Sequence, residues 1–440
     1  MGLNEKLLSM SNSYVYYKSE FESLKKELDE KNKIIKGLNN ELEVKNNSIN
    51  DFKQKNEDYK KLVSILESKM HDYRINSFKK KVKDLNIAYI LNGFPIHSET
   101  FIVNEVRWLK ENGYNIMVFI KTDEFKIVPI DFNVEIIKFN NSIDLEYLLI
   151  KHEIDLLHSH FVYPICTNFT YPIAEKLKIP FTVFAHAYDI FIKYNDEHNK
   201  IKEISESDYC ISIFTLSNFH KNYLMDRGVK SDKIVITKQA TSYELSEIEN
   251  NHNDIKKIIS ISRFVEKKGL DVLIDAANLL KDEDYEFSIY GFGDLENKLQ
   301  NQIDKLRCTN ISIKGELSPS GVEKKLKESD LLISPCKIAK SGDMDGFPTV
   351  IFESMATGLP ILTTSVSAIP EIIQDGVNGF ITEPNNPEML ADKILEITNI
   401  SADEMFKIRK RAQNDVKNIS SVDKTMEKYV KIIENNYFVK

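Results

Sequence analysis

Long apolar runs are missing from these 440 residues. No stretch approaches the roughly 18 residues that a membrane-spanning helix needs, and the opening residues lack the charged-then-apolar pattern of a secretory leader. Cysteine is scarce. Cys166, Cys210, Cys308 and Cys336 are widely scattered without C-x-x-C spacing, which excludes a disulfide framework and a thiolate metal site and fits a reducing compartment. Basic excess is missing too: the formal net charge is −8, and no nucleic-acid-binding motif is present, so no nucleic-acid partner is expected. What remains is ordinary. A hydrophobic content of 42% and a charged content of 29% suit a soluble protein, with enough apolar material for two or three cores. The expected location is the cytoplasm, with at most a peripheral contact at the inner face of a membrane.

Residues 1–84 stand apart by another absence, having no proline and only two glycines, Gly2 and Gly37. Counting in sevens from Tyr14 gives Phe21, Leu28, Ile35, Leu42, Ile49, Asn56, Val63 and Met70. From Tyr17 the count gives Leu24, Lys31, Leu38, Lys45, Phe52, Tyr59, Leu66 and Tyr73. Only Asn56, Lys31 and Lys45 interrupt these two apolar series, which predicts a coiled coil with the first at a and the second at d. Such a seam predicts a homo-oligomer through residues 14–73. Charge divides at the same place: residues 1–84 carry a net +4 and the remainder −12. The basic run Lys79 to Lys83 reads as a solvated linker, with contact to anionic lipid as the alternative.

From Asn86 the pattern alternates strand and helix, with strands expected near residues 116–120, 154–158, 181–184 and 209–213. This is the signature of a doubly wound parallel sheet, whose ligands gather at the carboxyl ends of the strands. Ser98 is a plausible N-cap for a helix over about 99–112. Two strand ends carry histidine: His158-Ser159-His160 and Ala185-His186-Ala187-Tyr188-Asp189. An H-x-H pair with no third ligand near it in sequence makes a poor metal site, and none is expected. Polar residues 241–255 read as a linker, and a second alternating series starts at 256. Its first strand leads into Ser262-Arg263-Phe264-Val265-Glu266-Lys267-Lys268-Gly269, where Arg263 and Lys268 could converge on a diphosphate. Glu266 and Lys267 are expected to point elsewhere into solvent. Tyr290-Gly291-Phe292-Gly293 reads as a tight strand-to-helix turn, since the third glycine of a dinucleotide fingerprint is missing.

The most informative stretch is Ser341 to Ile372. Apolar residues 330–335 read as a buried strand, and after Pro348 the spacing turns helical until Gly358-Leu359-Pro360 stops it. The loop Gly346-Phe347-Pro348-Thr349 therefore opens a helix, and unpaired N–H groups at the positive end of a helix seat a phosphate. Asp345 and Glu353 bracket that seat. Carboxylates repel phosphate but accept hydrogen bonds from sugar hydroxyls, so the pattern points to a sugar nucleotide.

The string DGFPTVIFESMATGLP, an acid followed by seven residues and then Glu, resembles the signature of GT-B retaining glycosyltransferases of family 4. The wording Gly342-Asp343-Met344-Asp345-Gly346 is most similar to the exopolysaccharide, colanic-acid-type branch. The family usually places Glu where Asp345 stands. The segments SETF (98–101), FAHAYD (184–189) and SRFVEKKG (262–269) match in the same order, so the resemblance spans about residues 86–435. It implies two Rossmann-like domains, 85–240 for the acceptor and 256–419 for the nucleotide sugar, with residues 420–440 forming a helix that crosses back. It also implies site roles. His186 would contact the reacting centre. Arg263, Lys268 and the N–H groups of Gly346, Phe347 and Thr349, in the turn that Pro348 shapes, would hold the diphosphate, with Ser98 and Glu99 in the loop near it. Gly315 would flank the base, Glu353 the ribose and Asp345 the donor sugar. The implied reaction moves a sugar with retention from a nucleotide diphosphate sugar, UDP-linked before GDP-linked, to a hydroxyl of a saccharide, a lipid-linked saccharide or a protein. No further cofactor and no metal are expected. Two alternatives stay open: other sugar-nucleotide chemistry on the same architecture, and a coiled-coil scaffold with a weak or inactive site.

Overall fold

The computed structural model describes parts of residues 29–61, then 81–96, 99–123, 129–192, 199–241, 243–250, 254–419 and 421–437. The chain divides into two units, 1–75 and 76–440. In the first, the described residues are helical from 29 to 61, and the side chains of Ile35, Leu38, Leu42 and Ile49 are all exposed. These are seam positions of the heptad pattern. Its outer parts, Tyr14 to Leu28 and Val63 to Tyr73, lie outside the described residues, as do Lys79 and Lys80 of the basic run.

The second unit holds two parallel sheets. The first has seven strands: β1 (Asn86–Leu91), β2 (Asn115–Ile120), β3 (Glu135–Lys138), β4 (Leu156–His160), β5 (Phe181–Phe184), β6 (Cys210–Thr215) and β7 (Ile234–Ile236), in the order β3-β2-β1-β4-β5-β6-β7. The second has six: β8 (Lys257–Ile261), β9 (Glu286–Tyr290), β10 (Ile311–Gly315), β11 (Leu331–Ser334), β12 (Ile361–Thr364) and β13 (Phe380–Thr382), ordered β10-β9-β8-β11-β12-β13. Central strands such as β1, β5 and β11 are buried almost throughout, because helices cover both faces of a parallel sheet. Strand order reverses beside β1 in one sheet and beside β8 in the other. Such switch points open a crevice at the strands' carboxyl ends, and the loops that leave β1, β4, β8 and β11 lie there.

The helix Thr100–Glu111 starts one residue later than the sequence pattern suggests. Its N-cap is Glu99 without a side-chain capping bond, and Ser98 lies outside the described residues. At the other end of the chain, the helix Val422–Tyr437 packs on the first sheet's layer. Trp108 Nε1 donates to Asp423 Oδ1 at 2.7 Å, and Lys428 Nζ donates to the Ile236 carbonyl at 2.6 Å. Met426, Tyr429, Val430 and Ile433 bury its apolar face.

Candidate active site

Glycine sets how closely the strand ends of the second sheet approach one another. Gly269 has φ +64°, and a Cβ there would sit 1.9 Å from the Pro335 carbonyl oxygen. No other residue fits, so the turn after β8 lies directly on the loop after β11. Gly291 and Gly293 likewise press on Ser262 and Phe264, the tight turn that the sequence suggests. A backbone bond from Lys337 N–H to the Lys267 carbonyl, 2.8 Å, stitches the two loops together.

This contact brings two lysines onto two aspartates. Lys268 Nζ lies 2.6 Å from Asp345 Oδ2, and Lys267 Nζ lies 3.0 Å from Asp343 Oδ1 and 3.4 Å from Asp345 Oδ1. The sequence expectation that Lys267 is solvated is therefore wrong. It is 4% exposed, because the short helical turn Glu266–Lys268 aims both lysines inward. Burial pushes the Asp345 carboxyl up, but Lys268 and then Lys267 outweigh it and hold the group at about 2. Burial lowers Lys268 while Asp345 raises it, and the net direction is up. The expectation that the sequence holds no D-x-D motif is wrong, since Asp343-Met344-Asp345 has that spacing; both carboxylates are taken up by lysine. Arg263 differs. It is exposed and forms no hydrogen bond or ion pair among the described residues.

The helix Thr349–Thr357 begins at N-cap Pro348, whose side chain supplies no capping bond, and ends at Gly358 in the left-handed region. Its first turn thus has no side-chain cap, the Ile351 N–H reaching the Pro348 carbonyl, with Asp345, Gly346 and Phe347 buried beside it and Thr349 exposed. Glu353 is half-buried, and burial raises its carboxyl above the ordinary value. Gly315, at φ +81°, ends β10 with open space where a Cβ would lie. Arg263, Lys268, Asp345 and the Gly346–Thr349 turn thus gather at one switch point.

The first sheet's side closes on the same turn. A Cβ on Gly346 would lie 2.8 Å from His220 Cε1 and 3.3 Å from Ala187 Cβ, the residue after His186. Lys238 Nζ stands 4.8 Å over the Phe347 ring. Glu371 accepts from the N–H groups of Asn218 and Phe219 at 3.0 and 2.7 Å, capping the helix Asn218–Asp226 from the other half of the unit. Sequence reasoning missed His220, Lys238 and Glu371, since no local pattern marks them.

His186 is 5% exposed. Burial, then neighbouring His160 and His220, hold its imidazole well below its ordinary value. His160 reaches it from β4, and Glu105 reaches His160 from the helix Thr100–Glu111. Glu105, His158 and His160 each place one ligand-type atom within 4.8 Å of the others, so the third ligand absent near H-x-H in sequence is supplied in space by Glu105. Both His160 nitrogens are already hydrogen-bonded, however, to Glu105 and to His186. Asp189, pushed up by burial to about 8, accepts from the Val162 N–H and ties the loop after β4 to the loop after β5. Glu99 is raised by burial, against a lowering by His160.

An α/β unit of two parallel sheets, with cations and an uncapped helix start at one switch point, is the architecture of a GT-B sugar-transfer enzyme. The family described as "Glycosyl transferases group 1" matches residues 243–415. An uncharacterised glycosyltransferase of Methanocaldococcus jannaschii is 30% identical over 319 residues, covering 70% of this chain and 85% of that protein. The amylovoran biosynthesis glycosyltransferase of Erwinia amylovora is 31% identical over 199 residues, 43% of this chain and about half, 48%, of its own length. The crystal structure of the Anabaena protein HepE in complex with UDP and glucose superposes with a TM-score of 0.63 at 16% identity, over 80% of this chain and 100% of that one, a likeness of fold. The chain belongs to the group 1 glycosyltransferases.

Proposed function

We propose that this enzyme transfers a sugar, with retention at the anomeric carbon, from a nucleotide diphosphate sugar to an acceptor hydroxyl. The observation that carries the reading is Arg263. An exposed guanidinium that no carboxylate holds by a hydrogen bond or ion pair, though its charge reaches Asp343, beside an uncapped helix start, is suited to a diphosphate. When the bond to the anomeric carbon breaks, charge grows on the leaving diphosphate. Arg263, Lys268 and the N–H groups at Gly346–Thr349 would stabilise it, which is electrostatic stabilisation of the leaving group. Lys268 would then share its charge between Asp345 and the phosphate. Asp345 is ionised at neutral pH and takes the donor-sugar hydroxyls, while Glu353 takes the ribose. A front-face route, in which the leaving phosphate accepts the proton of the attacking hydroxyl, needs no protein nucleophile.

A UDP-linked donor is favoured, with a GDP-linked one second; the UDP and glucose bound by HepE support that class. The amylovoran enzyme supports a role in bacterial surface polysaccharide or glycoconjugate assembly, with a saccharide, lipid-linked saccharide or protein as acceptor. The helical stretch 29–61, with Ile35, Leu38, Leu42 and Ile49 exposed, supports homo-oligomerisation through the 14–73 seam. No described helix is long and apolar enough to cross a membrane. The test is a panel of nucleotide sugars, with the anomeric configuration of the product read by proton NMR. An inverted product sinks the retaining mechanism, and no turnover of any donor sinks the enzyme reading in favour of a scaffold.

A further inference from the structure

A line of three side chains runs from the interior of the first sheet's layer to His186. Glu105 Oε2 lies 3.0 Å from His160 Nε2, and His160 Nδ1 lies 3.0 Å from His186 Nε2. All three are buried, at 3%, 0% and 5% exposure. The Tyr89 hydroxyl donates to the same Glu105 oxygen at 3.2 Å, so the carboxylate is held from two sides. Phe184 and Phe101 pack on both imidazoles, with ring centroids 4.6–5.6 Å apart. A flip of either ring would keep that packing but break the hydrogen-bonded line.

The order of donors follows from the chain's end. A carboxylate only accepts, so the proton between Glu105 and His160 sits on His160 Nε2. A His160 ring that carries only this one proton has a bare Nδ1, and the proton between the two imidazoles then sits on His186 Nε2. Neutral His186 is left with a bare Nδ1. Its neighbour Ala187 is against the Gly346 turn, which brings this histidine to the crevice at the donor seat. A bare nitrogen there accepts from a hydroxyl and has nothing to offer a phosphate.

We propose that Glu105 and His160 are positioning residues that fix the His186 tautomer, so that Nδ1 accepts a hydrogen bond from a sugar hydroxyl in the crevice. The sugar rests on the glycosyltransferase reading; the tautomer does not. His160 and His186 thereby have a function that the H-x-H metal pattern does not describe.

The test uses the full chain labelled with 15N-histidine, in which two-bond proton–nitrogen spectra distinguish the ring tautomers, with His186→Ala assigning the resonance. His186 is expected as the Nε2–H tautomer at neutral pH. His160→Phe preserves an aromatic ring beside Phe184 but breaks the line, and Glu105→Gln is nearly isosteric. In each, His186 should become a mixture of tautomers, and kcat/KM should fall about tenfold with the preferred donor. A donor lacking the contacted hydroxyl should show no such fall. Should one variant misfold by circular dichroism, the other and the wild-type spectrum decide. Finding Nδ1–H on His186 in the wild type overturns the proposal, as does a His186 tautomer unmoved in both variants. Absence of wild-type turnover with every donor would sink the proposed function, and the spectra would still decide the tautomer.

Discussion

Replacing Lys268 by Ala separates two roles that sequence alone would merge. The residue is expected to bear phosphate charge, yet its ammonium is 2.6 Å from the carboxylate of Asp345, a residue 9% exposed. Removing it leaves that carboxylate with Lys267 alone, at 3.4 Å. Asp345 is held at about 2, against an ordinary value of 3.8, and a difference of that size is on the order of 2 kcal/mol of neutral-pH stability. Breaking a buried pair by deleting one partner costs about 3–5 kcal/mol. Lys268→Ala should therefore lose about 3 kcal/mol in urea unfolding as well as at least about 30-fold in rate. Arg263→Ala, with no partner to strand, should lose rate and keep its unfolding midpoint. The double variant Lys268→Ala/Asp345→Asn should recover much of the stability and none of the activity. An unfolding curve for Lys268→Ala superimposable on that of the wild type would refute the reasoning.

Further outcomes follow from the same site. Because the folded-state pKa of Asp345 is depressed, its stabilisation is present above about pH 4 and is lost as pH falls toward 2; acid unfolding of Asp345→Asn should lack that component, and identical acid profiles would contradict it. Glu353→Gln should raise KM for every donor, whereas Asp345→Asn should discriminate among donor sugars; equal losses across all donors for both would show that the roles are not so divided. Ile35→Asp with Leu42→Asp, at two successive a positions, should lower the sedimenting mass of the full chain without changing turnover of a soluble acceptor. A compact monomer in the unaltered chain would end the assembly proposal.

The alternation of strand and helix was readable because buried parallel strands are apolar runs, and the helix after Pro348 announced itself by period and by its Gly358 stop. The edge strand β3 was not readable. It has the exposed sequence Glu-Ile-Ile-Lys, which carries no buried face to detect. Within the site, Arg263, Lys268 and Asp345 were legible from local strings. The neighbour Lys267 was not, since nothing in two adjacent lysines says which will be buried; the close approach of Gly269 to Pro335 decides that. Glu105 reaches His160 across 55 residues and Glu371 reaches Asn218 across 153. Contacts of that separation belong to the topology, and a local pattern cannot encode them.

The central claim is that the Gly346–Thr349 turn, Arg263 and Lys268 seat a diphosphate. It is tested most directly by calorimetric titration of the full chain with UDP and UMP, and with GDP and GMP. One diphosphate should bind at least about tenfold tighter than its monophosphate, from a single added charge-assisted contact, and Arg263→Ala should reduce that preference severalfold. Equal affinities for diphosphate and monophosphate in the unaltered protein would contradict the account.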